Sequence, residues 1–188
     1  MDFNKRVIDI SHELIKDCIY EGSIVIDATI GNGNDTLYLA NLVGETGKVY
    51  GFDIQKQAID TTYNKLLENH MNKRVTIIHD SHCQIDKYVC EKIDCAIYNL
   101  GYLPSGDKSI ITKGETTVKS LHSVINKLNT NGKIIIVSYY GHEGGKEEKK
   151  ILEDYLENLD YTEVTVCRID YINKPKCPPI FYCIQKCK

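Results

Sequence analysis

Apolar runs alternate with amphipathic stretches along most of the chain, which predicts strands that alternate with helices. Apolar residues recur at helical spacing over residues 4–20, so a first helix is predicted there. Five apolar runs then predict strands: SIVIDAT, GKVYGFDI, RVTIIHD, IDCAIYNL and GKIIIVSYY. The stretches between and after them have helical periodicity. Two further predicted strands, YTEVTVCRID and PPIFYCIQK, close the chain and are separated only by a polar loop.

This order of elements predicts an α/β fold. Strands that alternate with helices form a parallel sheet covered on both faces, whereas the last two strands, with no helix between them, should pair antiparallel. A seven-stranded, doubly wound, Rossmann-like sheet with a terminal antiparallel strand is typical of class I methyltransferases. Ligands of such sheets bind at the carboxyl ends of the strands. We expect residues 1–188 to form one domain.

Composition narrows the functional classes. The chain has 188 residues, 42% of them hydrophobic and 26% charged, with a net charge of -3, which is ordinary for a soluble domain. The N-terminus lacks the apolar core of a signal peptide, and no apolar run reaches the roughly 18 residues of a membrane span. We therefore expect a cytoplasmic protein without a membrane partner. A local basic patch for nucleic acid remains open.

The eight cysteines include no Cys-x-x-Cys pair. Zinc sites usually have such short paired spacings, so no metal is expected. In a reducing compartment the cysteines are expected to be free thiols.

The stretch VIDATIGNGNDTLYLA contains a tight glycine turn directly after the first strand. Gly31 and Gly33 let the backbone pass close to a ligand. A nicotinamide site would have a third glycine at position 36, where this chain has Thr36. Asp27 and Asp35 would repel a pyrophosphate but suit a cationic amino-acid group. These features favour S-adenosylmethionine as the cofactor.

Acidic residues also end the next two strands. Asp53 is placed to accept the ribose hydroxyls, Asp80 the adenine amino group, and Ile54 to cover one face of the adenine. Each acid alone could equally cap a helix or face solvent. The predicted cofactor-binding set is Asp27, Thr29, Gly31, Asn32, Gly33, Asn34, Asp35, Asp53, Ile54, Gln55, Asp80, Ser81, His82 and Asn99.

The fourth strand ends in NLGYLPSGDKSI. N-methyltransferases that act on exocyclic amines have an Asn or Asp, Pro, Pro, aromatic signature at this place. Here Asn99 and the Leu100 carbonyl could accept the amine hydrogens, and Tyr102 could stack on the base. The alternative is a turn in which Asn and Gly serve backbone geometry. His142, which follows the fifth strand, is a candidate for proton transfer, and His12 is a candidate for substrate contact.

Several motifs together resemble the small bacterial family known as "putative rRNA methylases". They are DATIGNGNDTLYLA, GFDIQ, DSH, NLGYLPSGDKSI with ITKGETT, and YYGHEGGKEE, and the resemblance runs from the first helix to the last strand. It implies the class I fold, S-adenosylmethionine as cofactor and a homodimer, with the first helix covering the cofactor side. It also implies methylation of the aminomethyl group of 5-aminomethyl-2-thiouridine at the tRNA wobble position.

The predicted partner is therefore a tRNA anticodon stem-loop, and Lys108, Lys113 and Lys119 are candidates to meet its phosphates. Two alternatives stay open. The same fold could methylate rRNA or a small-molecule amine. The chain could instead bind the cofactor without turnover and act as a regulator or scaffold.

Overall fold

The structure is a computed structural model that describes residues 2, 4–103 and 111–187. The helices and strands of these ranges follow in the order α1 (Val7–Ile15), β1 (Ile24–Asp27), α2 (Asn34–Leu42), β2 (Lys48–Asp53), α3 (Lys56–Glu68), β3 (Val75–His79), β4 (Ile93–Leu100), α4 (Gly114–Lys127), β5 (Leu128–Ser138), α5 (Gly145–Glu157), β6 (Val164–Ile169) and β7 (Ile180–Lys186). Short 3₁₀ helices at Asn72–Arg74 and His82–Lys87 precede β3 and β4. None of the helices in the described ranges combines the length and the apolar character needed to cross a membrane.

All seven strands form one sheet in the order β3-β2-β1-β4-β5-β7-β6. The five strands from β3 to β5 in this order are parallel to one another, and β7 is antiparallel to both β5 and β6. The predicted doubly wound sheet and the predicted antiparallel pairing of the last two strands are thus confirmed. The last strand in the chain lies inside the sheet because IFYCIQK is mostly buried, while the more exposed VTVCRI takes the edge.

Residues of the central strands alternate between the two faces of the sheet, as the strand geometry requires. On β4, Cys95 and Ile97 pack with the cluster that contains apolar residues of α1, α2 and α3. Ala96 and Tyr98 pack with the cluster that contains residues of α4 and α5. The Tyr98 hydroxyl also makes a buried 2.7 Å hydrogen bond with Ser120 of α4. These contacts fix the end of β4.

The first helix is shorter than the predicted range of residues 4–20. It ends at Ile15, and the next turn is tightened because the Cys18 N–H donates to the Ile15 carbonyl at 3.1 Å. Hydrogen bonds three residues apart are typical of helix ends. Between β3 and β4 the chain forms only the 3₁₀ helix His82–Lys87.

Candidate active site

A crevice of about 810 Å³ opens at the carboxyl ends of the parallel strands, where β1 and β4 lie side by side. The chain leaves β1 towards β2 and β3 and returns to β4 and β5 on the other side, so this is the point where the strand order reverses. Loops diverge at such a point and leave room for a ligand. The predicted site residues therefore come from the ends of different strands, and the fold brings them together.

The turn between β1 and α2 forms one wall of the crevice. Gly31 and Gly33 both have left-handed backbones, with φ of 53° and 74°, which side chains other than hydrogen rarely tolerate. A Cβ on Gly33 would lie only 2.6 Å from the Thr62 hydroxyl of α3. Gly33 thus allows close packing of the turn on α3, and it lies behind the residues that line the crevice.

Asp53, at the end of β2, holds this turn in place. One carboxylate oxygen accepts the Gly31 N–H at 2.9 Å, and the other accepts the Gln55 N–H at 2.9 Å. Each oxygen keeps a further lone pair and can accept a second hydrogen bond. Because Asp53 also lines the crevice, its carboxylate is fixed in orientation and available to hydroxyl groups of a ligand.

Asp27 lies beneath the crevice rather than on its surface. Its side chain is fully buried, and it accepts hydrogen bonds from the Thr29 N–H at 3.2 Å and the Thr36 hydroxyl at 2.6 Å. Burial, together with the nearby negative charge of Asp35, raises the pKa of Asp27 to about 7. The structure therefore does not bring this predicted contact residue to the crevice surface.

Asp35, near the start of α2, connects three elements. One carboxylate oxygen lies 2.6 Å from His12 Nε2 of α1. The other accepts the Asn99 side-chain N–H at 2.7 Å. The first helix, the glycine turn and the end of β4 are thus joined through one carboxylate.

Asp80, Ser81 and His82 line the crevice after β3, together with Ile54, whose side chain is exposed. The Asp80 carboxylate accepts the Tyr88 hydroxyl at 2.8 Å and the Ser81 N–H at 2.7 Å, which lower its pKa. Burial lowers the pKa of His82 to about 4. This end of the crevice therefore offers an ionised acceptor, a neutral imidazole and an apolar surface.

The opposite end of the crevice is formed by the residues after β4 and β5. The Leu100 carbonyl accepts the Tyr139 N–H at 3.0 Å and keeps a second lone pair. Gly101 has a φ of 147°, and a Cβ there would lie 3.3 Å from Tyr139 Cβ. The side chain of Tyr102, which is 42% exposed, lies in the same crevice.

His142 has a defined tautomer. Its Nδ1 lies 2.8 Å from the Glu143 carbonyl, and since a carbonyl cannot donate, Nδ1 carries the proton. Nε2 is then an acceptor in the neutral ring. This atom is buried without a hydrogen-bond partner in the described part of the chain. In the neutral ring this leaves a buried lone pair on Nε2 beside Gly101 and Tyr102.

All of the predicted cofactor-binding and catalytic residues line the crevice except Asp27 and Gly33. His12, the candidate for substrate contact, does not line it either. Tyr139, at the end of β5, was missed although the strand-end argument applies to it. Thr112 was also missed; its hydroxyl accepts the Gly101 N–H at 2.8 Å. Cys177 reaches the crevice from the loop between β6 and β7, and no sequence signal indicates that approach.

All eight cysteines carry free thiols. Across residues 2, 4–103 and 111–187, no group of three or more His, Cys, Asp or Glu side chains could hold a metal ion.

The strand order and the crevice at the strand ends define a class I methyltransferase fold. The family model described as "Putative rRNA methylase" matches residues 49–185. The chain belongs to this rRNA methylase family.

Relatives of known sequence or structure match nearly the whole chain. The "tRNA (mnm(5)s(2)U34)-methyltransferase, chloroplastic" of Arabidopsis thaliana is 34% identical over 193 residues, which cover 97% of this chain and 70% of that protein. A crystal structure of a "putative rRNA-methylase" from Clostridium thermocellum is 47% identical with a TM-score of 0.95, covering 97% and 98% of the two chains. A methyltransferase structure from Streptococcus mutans, solved in complex with SAH, is 40% identical with a TM-score of 0.89 and the same coverage.

The burial of Asp27 generates a prediction about pH. A free Asp has a pKa of about 3.9, whereas Asp27 in the fold has one of about 7. The folded state holds this proton more tightly, so the free energy of unfolding should fall as the pH rises from about 4 to about 7. Asp27→Asn cannot ionise. Its carbonyl oxygen can still accept the Thr29 N–H, and its NH₂ can donate to the Thr36 hydroxyl, which then acts as the acceptor. Urea unfolding should show the variant close to wild type at pH 4 and more stable than wild type at pH 8.

Asp60→Asn, at an exposed carboxylate of α3, is the control and should follow the wild-type pH dependence. Parallel curves for Asp27→Asn and wild type would contradict the assignment of a raised pKa to Asp27.

Proposed function

We propose that this chain methylates the aminomethyl nitrogen of 5-aminomethyl-2-thiouridine at the tRNA wobble position. S-adenosylmethionine is the methyl donor. The observation that carries the proposal is the orientation of the Asn99 side-chain amide. The amide N–H donates to Asp35, so the amide oxygen is the group that Asn99 offers in the crevice. An acceptor oxygen next to the Leu100 carbonyl suits a substrate that presents N–H groups. The Arabidopsis relative carries the name of this reaction.

The residues of the crevice fit the cofactor. Asp53 would accept the ribose hydroxyls, and Asp80 the adenine amino group, with Ile54 against the adenine face. The carboxylate of Asp35 suits the ammonium end of the cofactor. A dinucleotide would instead bring phosphate charges close to Asp35 and Asp53. The Streptococcus mutans relative, whose structure contains SAH, supports the same assignment.

Methyl transfer to an amine needs alignment more than acid–base chemistry. The bound cofactor supplies an electrophilic methyl group on its sulfonium. Asn99 Oδ1 and the Leu100 carbonyl would hold the two N–H groups of the neutral amine, so that its lone pair points into the crevice. An alkylamine with a pKa of about 10, close to that of Lys, must first lose a proton. The buried lone pair of His142 Nε2 would accept that proton.

The RNA would contact the crevice at its open side. Tyr102 offers an exposed ring for stacking, which contributes roughly 1–3 kcal/mol per base. Lys113 lines the crevice, and Lys119 is exposed on α4; both could meet phosphates near the base. Lys108, the third candidate, lies outside the described residues. A few local lysines suffice for an anticodon stem-loop, so the net charge of -3 does not oppose the proposal.

The family description names rRNA as a second candidate substrate. Two acceptor oxygens could also hold an exocyclic amine of an rRNA base. A wobble uridine, however, lies in a loop and is already partly unstacked, so bringing it into the site should cost less than extruding a paired base, which takes a few kcal/mol.

The first test concerns the cofactor. Asp53→Ala should weaken S-adenosylmethionine binding at least about tenfold, because charged hydrogen bonds to both the ribose and the Gly31 turn are lost. Isothermal titration calorimetry measures the change. Asp60→Ala, which removes an exposed carboxylate of α3, should bind as wild type does. Tighter binding of NAD than of S-adenosylhomocysteine to the wild-type protein would overturn the cofactor assignment.

The second test concerns the substrate. The purified protein is incubated with cofactor labelled in the methyl group and with tRNA that carries 5-aminomethyl-2-thiouridine. Matched tRNA without the aminomethyl group and purified rRNA serve as comparisons. Label should enter only the first RNA, and nucleoside mass spectrometry should find it on the aminomethyl nitrogen. Equal labelling of both tRNAs, or labelling of rRNA alone, would reject the proposed substrate. No labelling of any RNA by a protein that binds the cofactor would favour a small-molecule amine or a role without turnover.

A further inference from the structure

We propose that His12 is a positioning residue for the methylation reaction and that it acts through Asp35 to fix the orientation of the Asn99 amide. The inference rests on the function proposed above, because it gives the Asn99 carbonyl oxygen its role. His12 itself does not line the crevice, whereas Asp35 and Asn99 do. Its influence on the reaction must therefore pass through Asp35.

The three side chains form a continuous chain of short contacts. His12 Nε2 lies 2.6 Å from Asp35 Oδ1, and Asp35 Oδ2 accepts the Asn99 side-chain N–H at 2.7 Å. The side chains of His12 and Asp35 are only 17% and 12% exposed. Water competes poorly for such groups, so both hydrogen bonds should persist in solution.

An asparagine amide needs such a partner if its orientation matters for catalysis. The oxygen and nitrogen ends have almost the same shape, so packing alone does not distinguish them. A carboxylate only accepts hydrogen bonds, and Asp35 therefore selects the orientation in which Asn99 Nδ2 points to it. In the opposite orientation Asn99 would present N–H groups to the N–H groups of the substrate amine.

Asp35 can act in this way only if its own carboxylate is held. The contact from His12 fixes one oxygen while Asn99 uses the other. The imidazole ring is fixed in turn, because it stacks on Tyr38 of α2 with ring centroids 3.6 Å apart and planes within 1° of parallel. At the far end of the chain of contacts, the Asn99 backbone N–H donates to the Thr29 hydroxyl at 2.7 Å. Only the side-chain amide of Asn99 is then left to be oriented.

The kinetic test compares two substitutions at His12. His12→Ala should lower kcat on the substrate tRNA by about tenfold or more and leave the KM values for cofactor and tRNA within about twofold of wild type. His12→Gln retains an N–H that can reach Asp35 and should recover most of the lost kcat. His122→Ala, at an exposed histidine of α4, is the control and should behave as wild type. A wild-type kcat for His12→Ala, or a loss that appears in KM instead, would overturn the proposal.

A second readout needs neither RNA nor turnover. In protein with ¹⁵N-labelled asparagine, the side-chain NH₂ signals of Asn99 can be assigned by their absence in Asn99→Ala. They should shift and exchange faster with solvent in His12→Ala, and return towards the wild-type position in His12→Gln. Tyr38→Leu, which removes the stacked ring, should produce the same kind of change and provides an independent variant should His12→Ala fold poorly.

The two readouts separate the inference from the proposed function. If the wild-type protein methylates no tRNA, the proposed substrate is rejected. If the Asn99 signals nevertheless change in His12→Ala, the His12–Asp35–Asn99 arrangement is still supported. Unchanged Asn99 signals in both His12→Ala and Tyr38→Leu would overturn the arrangement whatever the activity of the protein.

Discussion

The turn between β1 and α2 must pass close to α3 with no side chain in the way, and the crevice that this turn lines depends on this constraint. A Cβ on Gly33 would lie 2.6 Å from Thr62, so a larger residue would push the turn away from α3. The same turn donates the Gly31 N–H to Asp53, which joins the end of β1 to the end of β2. α2 begins directly after Gly33 and carries Asp35, so the position of Asp35 beside β4 follows from the path of the turn.

Electrostatics explain why this fold suits a cationic cofactor. Asp27, Asp35 and Asp53 lie close enough together for the charges of the other two to raise the pKa of Asp27, in addition to the larger effect of burial. A ligand with phosphates would increase that repulsion, whereas a sulfonium and an ammonium would reduce it. The buried Asp27 then contributes to the field of the site and to the anchoring of Thr36 without a direct contact to the ligand.

Much of this arrangement could be predicted from the sequence because it depends on local patterns. IDCAIYNL gives β4 with the predicted bounds, since a mostly apolar run, interrupted only by Asp94 and Asn99, is typical of a buried strand. Asp53, Asp80 and Asn99 share an edge of the sheet because parallel strands place their carboxyl ends together.

Contacts between residues far apart in the sequence could not be predicted in this way. Asp35 is 23 residues from His12 and 64 from Asn99, and nothing in the spacing indicates that one carboxylate bonds both. Likewise, no local pattern indicates that the buried Asp27 accepts the Thr36 hydroxyl or that Cys177 reaches the crevice from the loop before β7.

We propose that Asn99 aligns a substrate amine and does not merely shape a turn. Comparing Asn99→Ala with wild type tests it most directly, with turnover on the substrate tRNA and cofactor affinity measured on the same preparations. We expect cofactor affinity near the wild-type value and turnover lower by roughly two orders of magnitude, as is usual when an aligning contact is lost. Turnover at the wild-type rate would contradict it and would show that Asn99 serves only the backbone geometry after β4.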